Sequence, residues 1–311
     1  MPRTTLTRVR GIVIGRHIYG ESDLYLHVIA DELGFLSLSA KAGRKSRRRY
    51  AGGLDLFCHN EFCLSTKGSY IRELVPLNLF LGLRSSLERL SVAGDVLACL
   101  RRLAVAGASV PELYALLGQT LALLENETRP SFAHLLRVLF YVKLLTLLGF
   151  SMQLTHCALC HALYPTEKAQ TLGSPTPPFV ILWIEKGGVV CMTCRAQGGR
   201  LAWDEWELSE KGYALLRFLQ HLRFTQWASL PLSVAASLPD ELFPLVCAFF
   251  TYHTGIRLGD TLHAPILSEK TLGTAASAFP APLELKPNHH PSAPEGQYGE
   301  VDSFDHLHIG P

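Results

Sequence analysis

Net charge is the first thing this chain has little of. Its 311 residues carry 29 Lys and Arg against 27 Asp and Glu, a formal +2 at pH 7, so only a local cluster of cations can draw it to a polyanion. Long apolar runs are also missing. The most apolar stretch, Leu135 to Phe150, is broken by Arg137 and Lys143 and falls short of the ~18 uninterrupted residues that suggest a membrane span. Arg3, Arg8 and Arg10 are followed by no apolar segment with a small-residue cleavage site, so a cytoplasmic protein without membrane contact is expected. No Walker motif, no G-x-G-x-x-G between a strand and a helix, no H-E-x-x-H and no nucleophile elbow occurs, and the expectation is no enzyme. With 48% hydrophobic and 18% charged residues, most of the chain also lacks the composition of disorder. At roughly 100–200 residues per domain, the length predicts two or three domains.

Residues 1–80 read as β. Gly11 to Gly15, Leu24 to Ala30, Phe35 to Ala40, Asp55 to Ser65 and Ser69 to Val75 are short runs of β-formers bounded by turn residues. Five strands in so short a span predict a small barrel. The period changes after Pro76. Leu81 to Leu103 and Pro111 to Leu124 carry apolar residues at helical spacing, and a third helix after Pro130 is expected to end at Gly149, buried because it is apolar nearly all round. Residues 81–156 and 200–267 therefore read as two parts of one helical domain, interrupted at 157–199 by a Pro- and Gly-rich looped module. The stretch 268–311 is rich in Pro and His, keeps no period and reads as a disordered tail. The predicted class is α+β.

Eight cysteines in a long chain without a secretion signal point to thiols or metal ligands, not disulfides. Four of them form two clean pairs, Cys157-x2-Cys160 and Cys191-x2-Cys194, separated by 30 residues. Two ligands three apart on a tight turn can aim both sulfurs at one ion, and a second pair completes a tetrahedron. Four thiolates leave no open position, so a single structural Zn2+ is expected. A redox pair is the competing reading, and His156 and His161 flank the first pair as alternative ligands. Cys58, Cys63, Cys99 and Cys247 sit in apolar patterns and read as small core residues.

The segment Lys41-Ala42-Gly43-Arg44-Lys45-Ser46-Arg47-Arg48-Arg49-Tyr50 holds six positive charges and no acid. Residues 1–80 as a whole carry 12 Lys and Arg against 7 Asp and Glu, a local +5. Such a loop cannot be buried, and its charges repel one another unless a polyanion neutralises them. Nucleic-acid phosphate is the candidate. Lys41, Arg44, Lys45, Arg47, Arg48 and Arg49 are the expected phosphate contacts, with Tyr50, Phe35 and Tyr25 as candidates to stack on bases. Nothing here reads base edges, so little sequence preference is expected.

Taken together, these residues resemble the RecO family of bacterial recombination mediators. The resemblance covers about residues 5–265. It rests on Gly11-Ile12-Val13-Ile14, Tyr19-Gly20-Glu21-Ser22-Asp23, Gly34-Phe35-Leu36, the Lys41–Arg49 run and Tyr50 to Phe57. Leu148-Gly149-Phe150 before the first cysteine pair and Gly187-Gly188 before the second complete it. It implies an N-terminal OB-fold, a helical domain with an inserted four-cysteine zinc module, and binding of single- and double-stranded DNA with annealing of complementary strands. It also implies partnership with RecR, binding of the C-terminal tail of the single-stranded-DNA-binding protein, indirect action on RecA, and a nucleoid-associated location. Arg137 and Lys143 are the candidate cations for that tail. The chain departs from the family in carrying His161 where a Gly often follows the first pair. The alternative from another class is an RNA-binding or ribosome-associated OB-fold and zinc-ribbon protein, because both modules also serve RNA.

Overall fold

The computed structural model describes residues 7–31, 33–65, 69–104, 111–126, 129, 132–164, 179–197, 205–223, 226–227 and 238–258. The expected tail 268–311 lies outside them, as does 165–178. No helix among the described residues is long and apolar enough to cross a membrane.

Strands β1 (Thr7–Tyr19), β2 (Asp23–Ala30), β3 (Gly34–Ala40), β4 (His59–Leu64) and β5 (Ile71–Asn78) form one antiparallel sheet in the order β3-β2-β1-β4-β5. Its edges curl until they meet. Ser39 bridges Tyr70 in parallel, and the Ser39 amide donates to the Ser69 carbonyl at 2.8 Å. This is the expected OB-type barrel. Alternation with period two fills its interior with Val9, Val13, Leu26, Val28, Leu38 and Phe62. Gly11 is required by crowding, since a β-carbon there would fall 2.5 Å from Val28 Cγ1. Ile12 and Ile14, either side of the inward Val13, turn outward toward the helices by the same alternation, and a bulge in β1 between Val13 and Gly15 inserts one extra residue into the ladder.

The helical body begins with a 3-10 turn (Leu81–Ser85) and continues through α2 (Leu87–Leu103), α3 (Pro111–Asn126) and α4 (Phe132–Leu147). The single helix expected over 81–103 is broken at Ser86. That residue is extended (φ −137°, ψ 127°), and its side chain accepts from the Arg89 amide at 3.5 Å, so it caps α2. Helix α4 is buried on all sides, as its all-round apolar pattern predicts. It ends at Gly149 (φ +84°), where Phe150 N donates to Leu145 O at 2.8 Å and Gly149 N to Thr146 O at 3.1 Å. After α1 (Arg47–Tyr50) in the barrel and α5 (Met192–Gln197) in the cysteine module, α6 (Glu210–His221) and α7 (Leu238–Thr254) complete the body.

One apolar cluster joins Ile12, Ile14, Ile29 and Phe35 on the outside of the barrel to α2, α3 and α4. At about 1.5–3 kcal/mol for each fully buried side chain, these four seat the barrel firmly on the helices. Arg101 of α2 adds a hydrogen bond to the Ile14 carbonyl at 2.7 Å. The cluster also reaches Val180, Leu182 and Val189 of a second sheet, β6 (Phe179–Trp183), β7 (Gly188–Val189) and β8 (Glu205–Ser209), ordered β7-β6-β8. The sequence pattern predicts only loops between 157 and 199, because the Pro-rich flank outweighs the short run Phe-Val-Ile-Leu-Trp. Strand β8 carries the sheet past residue 199.

Candidate nucleic-acid interface and metal centre

The cysteine pairs sit on two backbone knuckles pressed together. In the first, Cys157 N donates to Ala162 O at 2.8 Å and His161 N to Cys157 O at 2.9 Å, closing a turn in which His161 takes φ +59°. This is the left-handed region, where glycine is at ease and a side chain is strained. The second pair starts just ahead of α5. Ala158 N donates to Val189 O at 2.8 Å, and Gln153 N to Gly187 O at 2.9 Å, which ties the knuckles together. Gly188 allows this approach, because a β-carbon there would lie 2.4 Å from the Gln153 carbonyl oxygen.

The result brings Cys157, Cys160, Cys191 and Cys194 together, with their sulfurs within 4.8 Å of one another. Cys160 Sγ and Cys191 Sγ are 3.8 Å apart. That matches the edge of about 3.8 Å expected for a tetrahedron with metal–sulfur bonds of about 2.3 Å. The amides of Cys191 and Cys194 donate to Cys157 Sγ at 3.3 Å and Cys191 Sγ at 3.5 Å. Burial opposes ionisation of Cys157, yet the backbone amides of Cys160, Cys191 and Leu159 outweigh it and bring this thiol down to about 6. Cys194 moves the other way, up to about 12, because its hydrogen bonds with Cys191 and Cys160 favour the protonated form. Four thiolates this close repel one another, so full ionisation of the quartet calls for a cation. The cluster can hold one ion in a closed four-sulfur shell. His156 and His161 are not part of it; His156 Nδ1 is hydrogen-bonded to Thr155 Oγ1 at 3.0 Å.

The cationic segment lies between β3 and β4. Lys41, Arg44, Lys45, Arg48 and Arg49 are all exposed, while Arg47 opens α1. Arg44 Nη1 donates to Glu21 O at 3.0 Å. Arg49 Nε and Nη2 donate to Arg72 O at 3.0 and 2.9 Å. Among the described residues none of these five cations is ion-paired with a carboxylate. The guanidinium groups are anchored by neutral carbonyls, which orient them and leave their charge uncompensated. Asp23, the nearby acid, accepts instead from the Ala42 amide at 2.7 Å and holds the turn.

Two residues expected to stack on bases must be withdrawn. Tyr50 is only 1% exposed; its ring plugs the barrel interior, and its hydroxyl donates to Lys41 O at 3.0 Å. Phe35 is buried against the helical body. Both are apolar enough that the core claims them first. Tyr25 remains on the surface at 36% exposure. Sequence order also hid Tyr70. It is remote from the cationic segment along the chain, but barrel closure sets its ring centroid 5.3 Å from Lys41 Nζ.

The pair expected to receive an acidic tail fares differently. Lys143 is buried, and its ammonium donates to the Gln220 carbonyl at 2.7 Å, so it is corrected to an internal strut between α4 and α6. Arg137 pairs with Asp95 at 3.4 Å, and its guanidinium lies 3.7 Å from the Phe243 ring centroid. On a helix buried all round, a long cationic side chain reaches for polar atoms inside the bundle.

Comparison with known proteins covers almost the whole described chain. Residues 3–80 match the family "Recombination protein O N terminal", and residues 84–261 match "Recombination protein O C terminal". A DNA repair protein RecO of Desulfitobacterium hafniense is 31% identical over 228 residues, 70% of this chain and 77% of the relative. One from Dehalococcoides mccartyi is 30% identical over 191 residues, 60% and 70% respectively. One from Desulfosudis oleivorans is 29% identical over 262 residues, 79% of this chain and 92% of the relative.

Proposed function

This chain belongs to the RecO family, and from that membership we propose that it is a DNA-repair recombination mediator that binds single- and double-stranded DNA and anneals complementary strands. With RecR as partner it helps RecA replace the single-stranded-DNA-binding protein, whose C-terminal tail it engages. The protein works on the nucleoid and makes or breaks no covalent bond.

Five exposed cations with no carboxylate partner among the described residues are the observation that supports DNA binding. Two nucleic-acid strands brought together repel through their phosphates. A fixed cationic loop releases condensed counterions from both strands and lowers that repulsion, so pairing is favoured without a chemical step. Anchoring of Arg44 and Arg49 on carbonyls reduces the ordering cost of binding. The four cysteines are proposed to hold one Zn2+. Its closed shell would supply folding stability to the knuckles and no Lewis-acid position.

The test is the salt dependence of binding to a single-stranded oligonucleotide. If about four phosphates are neutralised, log affinity falls with log salt with a slope of about −3. Replacing Arg44, Arg48 and Arg49 by Gln is expected to weaken binding and flatten the slope by about 0.7 per cation, with circular dichroism unchanged. An unaltered slope would overturn the assignment. Annealing of oligonucleotides coated with the single-stranded-DNA-binding protein, with and without RecR, tests the mediator step. Competition between DNA and RNA of equal length at one salt concentration separates this reading from the RNA-binding alternative.

A further inference from the structure

The outer face of the barrel is divided. At one end Ile12, Ile14, Ile29 and Phe35 are covered by helices. At the other, four residues line up straight across the sheet. His17 on β1 is paired with Tyr25 on β2, Tyr25 with Ser39 on β3, and Ser39 with Tyr70, which leads into β5. Partners in register project to the same side of a sheet. Tyr25 and Tyr70 are 36% and 42% exposed, with the small Ser39 between them. His17 and Tyr25 both lie close to His27, with ring centroids 5.2 and 5.9 Å from it. The row thus reads aromatic, aromatic, small, aromatic, and spans three strand spacings of about 4.8 Å each, or about 14 Å.

The cations flank this row. Lys41 Nζ lies 5.3 Å from the Tyr70 ring centroid, and Arg49 is hydrogen-bonded to the carbonyls of Ile71 and Arg72 immediately beyond it. Rings beside cations meet the two chemistries of a single strand, whose bases offer flat faces and whose phosphates offer charge. A duplex hides its base faces, so a shelf of this kind takes single strands only. The interruption at Ser39 leaves room between the two tyrosines for a base to lie against the sheet.

We propose that the transverse row His17–Tyr25–Ser39–Tyr70 is a base-stacking shelf for single-stranded DNA, with Tyr25 and Tyr70 as its platforms and Lys41 and Arg49 holding the adjoining phosphates. This rests on the reading of the cationic loop as a DNA contact and adds to it the side chains that distinguish single from double strands. Stacking on uncharged rings releases no counterions, so its contribution does not vary with salt as the cations' contribution does.

Tyr25→Ala and Tyr70→Ala are therefore expected to weaken binding of a deoxythymidine oligonucleotide about tenfold each, with the salt slope unchanged and duplex affinity unaffected. Tyr70→Trp is expected to restore binding and to show fluorescence quenching when the oligonucleotide is added. Because both tyrosines are on the surface, thermal melting checks that the fold survives. Wild-type affinity in both alanine variants, alongside a flattened slope in Arg44→Gln and Arg48→Gln, would overturn the shelf and leave the cationic loop standing. Unchanged binding in all four variants would overturn both. Equal losses on duplex and single strand would also overturn the shelf.

Discussion

In the cysteine module four sulfurs converge to within 4.8 Å of one another, whereas in the barrel loop five cations face solvent with no carboxylate to meet them among the described residues. Both segments stand out by residue type and spacing alone. They differ in where their unsatisfied chemistry points. The knuckles turn it inward, where four sulfurs can close around a single small ion. The loop turns it outward, where the proposed partner is a polyanion from elsewhere. Internal convergence suits a structural centre, and uncompensated external charge suits the DNA contact proposed above.

The largest expected effect tests whether the two regions are separable. Cys157→Ser should cost the module its metal and about 5 kcal/mol or more, part of the about 10–16 kcal/mol with which zinc-finger peptides hold their ion. Metal content by atomic absorption and thermal melting read the loss, while the salt slope of DNA binding should remain. A collapsed slope would show that the loop depends on the knuckles.

A second test concerns the barrel face. His27 is held down to about 4, first by burial and then by His17 and Arg101. Its neutral form is favoured in the folded state, so this contribution is fully present above the ordinary histidine value of about 6.5. It is lost as pH falls toward about 4, where the folded protein also takes up the proton. Denaturant melts across that window should show on the order of 2 kcal/mol lost by the wild type relative to His27→Gln. Parallel pH profiles for the two proteins would refute it.

Lys143 offers the internal counterpart of the loop cations. Lys143→Ala leaves the Gln220 carbonyl without its donor and should cost about 1–2 kcal/mol in stability, with no change in the salt slope for DNA. A change in slope would place this lysine on the DNA path after all. The smallest effect belongs to His161. Its left-handed conformation makes His161→Gly a gain of up to about 1 kcal/mol, seen as a higher melting temperature with metal content unaltered. Destabilisation would mean that the imidazole contributes a contact worth more than the backbone strain.

Much of the fold could be read in order along the chain. Short runs of β-formers between turn residues located the five barrel strands, and the all-round apolar pattern of α4 announced its burial. The ends of elements were harder. Ser86 breaks the predicted first helix because its side chain offers the Arg89 amide a cap, a local competition that apolar periodicity does not register. The second sheet was missed because its strands are short and lie among residues with turn-forming composition. Of the candidate site residues, the four cysteines are brought together and the exposed cations remain open. Tyr50 and Lys143 were misjudged for one reason: residue type says what a side chain can do, and only packing says which side of the surface it is on.

What the sequence determined by itself was chemistry with a short reach: the paired sulfur ligands, the density of charge between two strands, the glycine that ends α4. These follow from residues a few positions apart, which neighbouring backbone geometry brings together in any fold. What only the tertiary structure decided were encounters between distant segments. Closure of the barrel sets Tyr70 beside Lys41, and the register of β1, β2 and β3 aligns His17, Tyr25 and Ser39. The fold likewise spends the charge of Lys143 inside the bundle. Such contacts depend on strand register and shared burial, which are set by the packing of the whole core and cannot be read from any one stretch of chain.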